Sequence, residues 1–310
     1  MIKDYANNIS GKKILVVGEL LVDIISNDNI ESLAFSSQFS TNQGGSSANL
    51  CANLKWLGID TELVATVGDD NLGSFLINEL KTVGISDTYI NRSKNRQTSI
   101  VLVAKSEHTP DFIPYRSADL SIKRVEDSII SACSIIHTTA FALSKEPARS
   151  NILCAFTKAN QMGKFLSVDW NFAPSIWHED DGKEVFKQIC KLNPLLKISL
   201  DDLERFNDDN LSIEECKAWL DKLNTKAICL TCGKEGVWFK GQNQNWTYKP
   251  ALQVESVVGV TGAGDAFWSG FLSHFIKDAP LDACVDNALE IAKLKIEIPT
   301  PLYKKKSLIH

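Results

Sequence analysis

No run of about 18 apolar residues occurs in the 310-residue chain, so no segment has the length of a membrane-spanning helix. The opening MIKDYANNISGKK lacks the apolar block of a secretory leader, and cytoplasmic residence is the expectation. An excess of basic charge is also missing. With 33 Lys and Arg against 38 Asp and Glu, the formal charge of −5 gives no broad positive field for nucleic acid or an acidic membrane, and a small-molecule partner fits better. Two familiar phosphate-binding signatures are absent as well. No Gly-x4-Gly-Lys-Ser/Thr sequence exists, and the turn Gly262-Ala-Gly264 has Phe267 where a dinucleotide fingerprint needs a third glycine.

Disulfides are not expected either. The cysteines at 51, 133, 154, 190, 216, 229, 232 and 284 are scattered through apolar stretches, as reduced core thiols are. Cys229-Leu-Thr-Cys232 has redox spacing but lies inside an apolar strand-like run, and no second cysteine pair or histidine cluster completes a zinc site. His137, beside Thr138 and Thr139 in another apolar run, reads as a core histidine. The seven tryptophans are dispersed rather than gathered into a stacking platform, although Trp170 and Trp177 flank the segment expected to meet substrate.

What is present is alternation. Short β-rich runs at 13–17, 62–67, 134–139, 165–169, 196–200 and 227–231 read as buried parallel strands. Between and after them, stretches at 47–57, 72–83, 149–162, 184–192, 213–223, 263–276 and 281–296 read as helices. That pattern predicts a single domain of α/β class over 1–310, with ligands at the carboxyl ends of the strands. Segments 20–43 and 96–116 break the alternation and predict a small accessory sheet placed to exclude water from a reaction. Lys304-Lys-Lys306 reads as a solvated basic tail.

Two glycine-rich turns carry the chemistry. Gly259-Val-Thr-Gly-Ala-Gly-Asp265 runs into a helix, so the amides of Gly262, Ala263 and Gly264 are expected to face an anion at that helix's positive end. Asp265 beside them would repel the anion unless it takes a proton from an attacking hydroxyl; the bland reading is a tight turn with an Asp cap. Gln43-Gly-Gly-Ser-Ser-Ala-Asn49 opens a second helix with Asn49 in its first turn, and Asp23 follows a buried strand, where a carboxylate can accept from sugar hydroxyls.

Taken in order, Gly18-Glu-Leu-Leu-Val-Asp23, Gly44-Gly-Ser-Ser-Ala-Asn49, Val67-Gly-Asp-Asp-Asn-Leu-Gly73, Tyr115-Arg-Ser-Ala-Asp119, Asp169-Trp-Asn171, Thr231-Cys-Gly233 and Gly262-Ala-Gly-Asp265 resemble the PfkB, or ribokinase-like, carbohydrate kinases. The resemblance implies a three-layer αβα core with a β lid, and in-line transfer of the ATP γ-phosphoryl group to a primary hydroxyl. It makes Asp265 the base and the amides of Gly262, Ala263, Gly264 and Asp265 an anion hole. Asp23, Gly44, Gly45, Asn49, Arg116 and Asn171 fall at the sugar. Ser199, Thr231, Gly233, Gly236 and Asn287 fall at the nucleotide, and Asp202 at water bound to Mg2+, which ATP phosphates require.

Three positions depart from that pattern. Gly259 and Val260 replace an Asp-Thr pair, removing a carboxylate associated with a monovalent cation and arguing against potassium activation. Ala173 replaces an arginine common in fructokinase-like and ketodeoxygluconate-kinase-like members, and Ser199 and Asp202 stand for Asn and Glu. The segments at 112–120, 171–177 and 197–199 most resemble fructokinases, so fructose is the first expectation. A ketodeoxy acid sugar and a nucleoside follow, with a non-catalytic nucleotide- and sugar-binding relative as the reading of another class. Open-edged lid strands would suit a homodimer.

Overall fold

The computed structural model describes residues 12–105, 111–178 and 181–305. Most of the opening segment, residues 106–110 of the second accessory stretch and Lys306 of the basic tail lie outside the described residues.

Alternation within short apolar strands builds the layers. In β1 (Ile14–Val17) all four side chains are buried, Ile14 and Val16 in one core and Leu15 and Val17 in the other. This strand lies inside a sheet that also contains β4 (Thr61–Gly68), β5 (Ile90–Ser93), β8 (Ile135–Thr139), β9 (Phe165–Asp169), β10 (Leu195–Ser199), β11 (Ala227–Thr231), β12 (Val237–Gly241) and β13 (Thr247–Lys249). Its order is β13-β12-β11-β10-β9-β8-β1-β4-β5, parallel from β5 to β11, with β12 and β13 antiparallel at one edge.

Helices cover both faces. On one lie α1 (Ser46–Trp56), α2 (Asn71–Thr82), α9 (Ala263–Phe275) and α10 (Leu281–Ile296); on the other lie α3 (Asp127–Ser131), α4 (Ala140–Leu143), α5 (Ala148–Gln161), α6 (Asp181–Cys190), α7 (Leu200–Asn207) and α8 (Ile213–Leu220). The class is α/β in three layers, as the alternation predicts. Helices α9 and α10 approach closely at Gly270, where a Cβ would meet the Ala288 Cα at 2.9 Å.

A second, four-stranded sheet has the order β3-β2-β6-β7, from β2 (Leu21–Asn29), β3 (Phe39–Gly44), β6 (Ile100–Lys105) and β7 (Phe112–Tyr115). These strands come from the two segments that break the alternation. The loops at its root are clamps: Asp70 caps α2 at Gly73 N and accepts from Thr98 N and Oγ1 at 2.8 and 2.7 Å. Asp119, fully buried, accepts from Ser99 Oγ and from Arg116.

All eight cysteines are free thiols, and Cys229 and Cys232 belong to opposite faces of the sheet. His137 is fully buried, its Nδ1 2.9 Å from Ser167 Oγ, and burial pushes its pKa down to about 3. Trp170 and Trp177 sit in an aromatic cluster with Phe172, Phe186 and Phe206 in the core, with Trp170 fully buried. No helix among the described residues is long and apolar enough to cross a membrane.

Candidate active site

Two helix N-termini converge on one carboxylate. Gly262, with φ +79°, takes the left-handed conformation that lets the chain turn into α9, and Asp265 then falls in the first turn. Its Oδ1 accepts from Ser46 Oγ at 2.5 Å and its Oδ2 from Asn49 Nδ2 at 3.1 Å, both residues lying in the first turn of α1. Burial pushes the Asp265 carboxyl above the usual range, while Ser46, Asn49, Lys197 and Lys295 oppose the rise. A carboxylate so held is nearer the working pH of a general base than a free one.

The start of α1 is itself held from beneath. Glu19, buried just past β1, accepts from Ser47 N at 3.0 Å, Ser47 Oγ at 2.9 Å and Thr139 Oγ1 at 2.8 Å. Gly45 crosses this group with φ +95°, where a Cβ would lie 2.6 Å from the Glu19 carbonyl oxygen. Gly44 leaves room for Asp23, whose carboxylate would touch a Cβ there at 2.2 Å. Asp23 is pushed up to about 7, first by burial, then by the charges of Asp265 and Glu19. Asp23, Asn49, Gly262 and Lys295 line one cavity of about 770 Å³, between the small sheet, α1 and the segment leading to α9.

A buried ion pair supports the other side of the turn. Lys197 Nζ, from the middle of β10, donates to both oxygens of Asp169 at 2.9 and 3.0 Å. Burial opposes the Lys197 charge, but Asp169, Asp202 and Asp265 together hold its pKa above the ordinary value. A Cβ on Gly264 would lie 2.9 Å from this ammonium, so a larger residue there must displace the tip of Lys197.

The remaining sequence-predicted residues separate into groups. Arg116 pairs with Asp119 at 2.7 Å, donates to Ser144 and lies 4.1 Å from the Phe141 ring centre; Asn171 Oδ1 accepts from Phe141 N at 3.3 Å. These two therefore share a neighbourhood; Arg116 Nε and Nη1 bond Asp119 and Ser144, while its buried Nη2, 2.7 Å from Asp119, makes no hydrogen bond. Thr231, Gly233 and Gly236 form the turn from β11 to β12, and a Cβ on Gly236 would lie 2.2 Å from the Lys249 carbonyl oxygen. Asn287 donates to Gly270 O at 2.7 Å and Ser273 Oγ at 3.1 Å, tying α10 to α9.

One expectation needs correction. The Ala263 amide does not face outward: Gly262 closes a turn in which Ala263 N donates to Val260 O at 3.0 Å, so the unpaired first-turn donors of α9 are those of Gly264 and Asp265. Ser199 and Asp202 form a capping box at the start of α7, with Asp202 also bonded to Arg205 at 2.7 Å.

A family model described as pfkB family carbohydrate kinase matches residues 11–301. The chain belongs to that family. A PfkB relative, the ATP-dependent 6-phosphofructokinase of Thermoanaerobacterium thermosaccharolyticum, is 34% identical over 289 residues, covering 91% of this chain and 87% of its own. Fructokinase-2 of Solanum lycopersicum is 28% identical, over 88% of this chain and 84% of its own. The solved Halothermothrix orenii fructokinase superposes with a TM-score of 0.81 at 33% identity, covering 90% of this chain and 98% of that one. This PfkB chain is accordingly an ATP-dependent sugar phosphotransferase with the ribokinase-like fold.

Sequence reasoning left several site residues without a role. Glu19 and Lys197 stand inside quoted motifs, yet their partners lie far along the chain. Lys295 and Tyr303, both buried and lining the cavity, come from a helix end and a C-terminal segment with no motif at all.

Proposed function

We propose that this kinase phosphorylates fructose on a primary hydroxyl, with Asp265 as the base. The observation that carries the reading is the Asp265 carboxylate, held by Ser46 and Asn49 where the first turns of α1 and α9 meet, beside a cavity lined by Asp23, Asn49 and Gly262. A sugar hydroxyl seated between Asn49, Asp23 and Asp265 loses its proton to Asp265 as its oxygen attacks the γ-phosphorus. Charge developing on the transferring oxygens meets the free amides of Gly264 and Asp265 at the positive end of α9. The fructokinase relatives and the resemblance of 112–120, 171–177 and 197–199 support fructose as acceptor.

Magnesium would arrive on the ATP phosphates. Asp202, bonded to Ser199 and Arg205, would act through a water on that ion, and no group of three or more metal-binding side chains exists among the described residues. Cytoplasmic residence belongs to the same reading.

A phosphorylated or acidic sugar is the second reading, favoured by Lys105 at the cavity wall and by the 6-phosphofructokinase relative. The experiment is acceptor-dependent ADP formation from Mg-ATP over fructose, fructose 6-phosphate, ketodeoxygluconate, ribose and adenosine. Turnover highest with fructose supports the proposal. Turnover confined to a phosphorylated or acidic sugar moves the acceptor, and none with any acceptor, nucleotide binding intact, points to a binding protein.

We also infer a homodimer through the small sheet, whose outer strands β3 and β7 leave backbone edges open and whose Ile113 and Tyr115 are exposed. Light scattering should give twice the 34.3 kDa chain mass, falling to one chain in Tyr115→Lys. A single-chain mass for the unaltered protein would refute it.

A further inference from the structure

Of the cationic side chains near Asp265, Lys197 is neutralised by Asp169, but Lys295 has no such partner. Lys295 is 9% exposed, lines the cavity, and neither donates a hydrogen bond nor forms an ion pair with any described residue. Its stem packs against the catalytic turn: a Cβ on Gly262 would lie 3.6 Å from Lys295 Cε. The next residue binds the same segment, since Ile296 O accepts from Val258 N at 2.9 Å and from Gly259 N at 3.4 Å. Lys295 also occupies the last turn of α10, where a helix favours positive charge.

An ammonium left buried without a partner is costly, and it persists where something negative is to be met. The negative charge is at hand: Asp265, Asp23 and the phosphates that the turn is built to receive. The turn side of the cavity, from Val257 to Gly262 and at Pro299 and Pro301, contributes no carboxylate to hold a mobile cation.

We propose that Lys295 is a positioning residue that serves as the built-in cation of the catalytic turn, so that turnover needs no added monovalent ion. The fixed ammonium holds segment 257–262 against α10, balances the charge gathered where phosphate and Asp265 face each other, and keeps Asp265 ionised. The groups facing Asp265 are Ser46 and Asn49 from α1, Asp23 from β2, Asp169 and Lys197 from β9 and β10, Lys295 from α10, and Tyr303 beyond it. With Lys295 neutral, Lys197 remains paired to Asp169, and the Asp265 carboxyl rises further.

The inference rests on Asp265 being the base. The test compares the unaltered enzyme with Lys295→Met and Lys295→Arg, each checked for folding by thermal melting, in tetramethylammonium buffers with and without potassium or methylammonium chloride. The unaltered enzyme should be indifferent to potassium. Lys295→Met should lose roughly tenfold or more in kcat with little change in the KM for acceptor. Its acid limb should move up by about half a pH unit or more, methylammonium or potassium should return part of the loss, and Lys295→Arg should leave the acid limb in place. Several-fold potassium activation of the unaltered enzyme would overturn the proposal, and so would a Lys295→Met enzyme with unaltered kcat and acid limb. A defect confined to the KM of a phosphorylated acceptor would overturn it too, making Lys295 a substrate contact. If the base assignment fails instead, Asp265→Asn keeps its turnover whatever Lys295 does, so the two failures are distinct.

Discussion

Asp23 is held half-buried at the cavity wall beside like charges, and the protein without substrate bears that strain. Its pKa of about 7 means that the native state binds a proton the unfolded chain has already released between about pH 4 and 7. Stability therefore falls as pH rises through that interval, and the loss is complete above pH 7. Asp23→Asn should raise the stability of the substrate-free protein by about 1–3 kcal/mol at pH 8 and by almost nothing near pH 4, while raising the KM for sugar. Thermal melts at the two pH values check this; an equal gain at both would show that Asp23 is not strained. The acidic residue itself was legible in the sequence as a carboxylate just past a buried strand. Its strain was not, because it arises first from burial and then from Asp265, 242 positions away, and Glu19, which only the fold brings together.

At the scale of elements, the parallel strands were readable because burial on both faces leaves continuous apolar runs, as in Ile14–Val17 and Ala227–Thr231. Strands β12 and β13 were not, since Trp238, Lys240 and Tyr248 mix polar and exposed groups at the sheet edge. Helix α7 was hidden too: its Ser199 and Asp202 resembled nucleotide-site residues and proved to be a capping box. The glycines of the catalytic turn were expected to admit a phosphate. Gly264 has a second reason to be glycine, the Lys197 ammonium packed beneath it. Gly264→Ala should push that ammonium off Asp169, costing about 1–3 kcal/mol of stability and at least roughly tenfold in kcat. Denaturant melts and steady-state rates test the pair of effects; a stable, fully active Gly264→Ala would mean that the ion pair does not support α9.

Across the whole molecule, the long sheet fixes where strands end, and the chemistry gathers on that one edge: Glu19 after β1, Thr139 after β8, Asp169 and Lys197 at β9 and β10. The small sheet, rooted by Asp70 and Asp119, then stands beside this edge with Asp23 and Lys105 toward the cavity. Both layers serve a single arrangement, a carboxylate at the junction of two helix N-termini next to a sugar-sized space. The most direct measurement is acceptor-dependent ADP formation by Asp265→Asn beside the unaltered enzyme, with nucleotide and sugar binding followed by calorimetry. The account predicts a loss on the order of a hundredfold or more in kcat with both ligands still bound. Turnover undiminished in Asp265→Asn would contradict it.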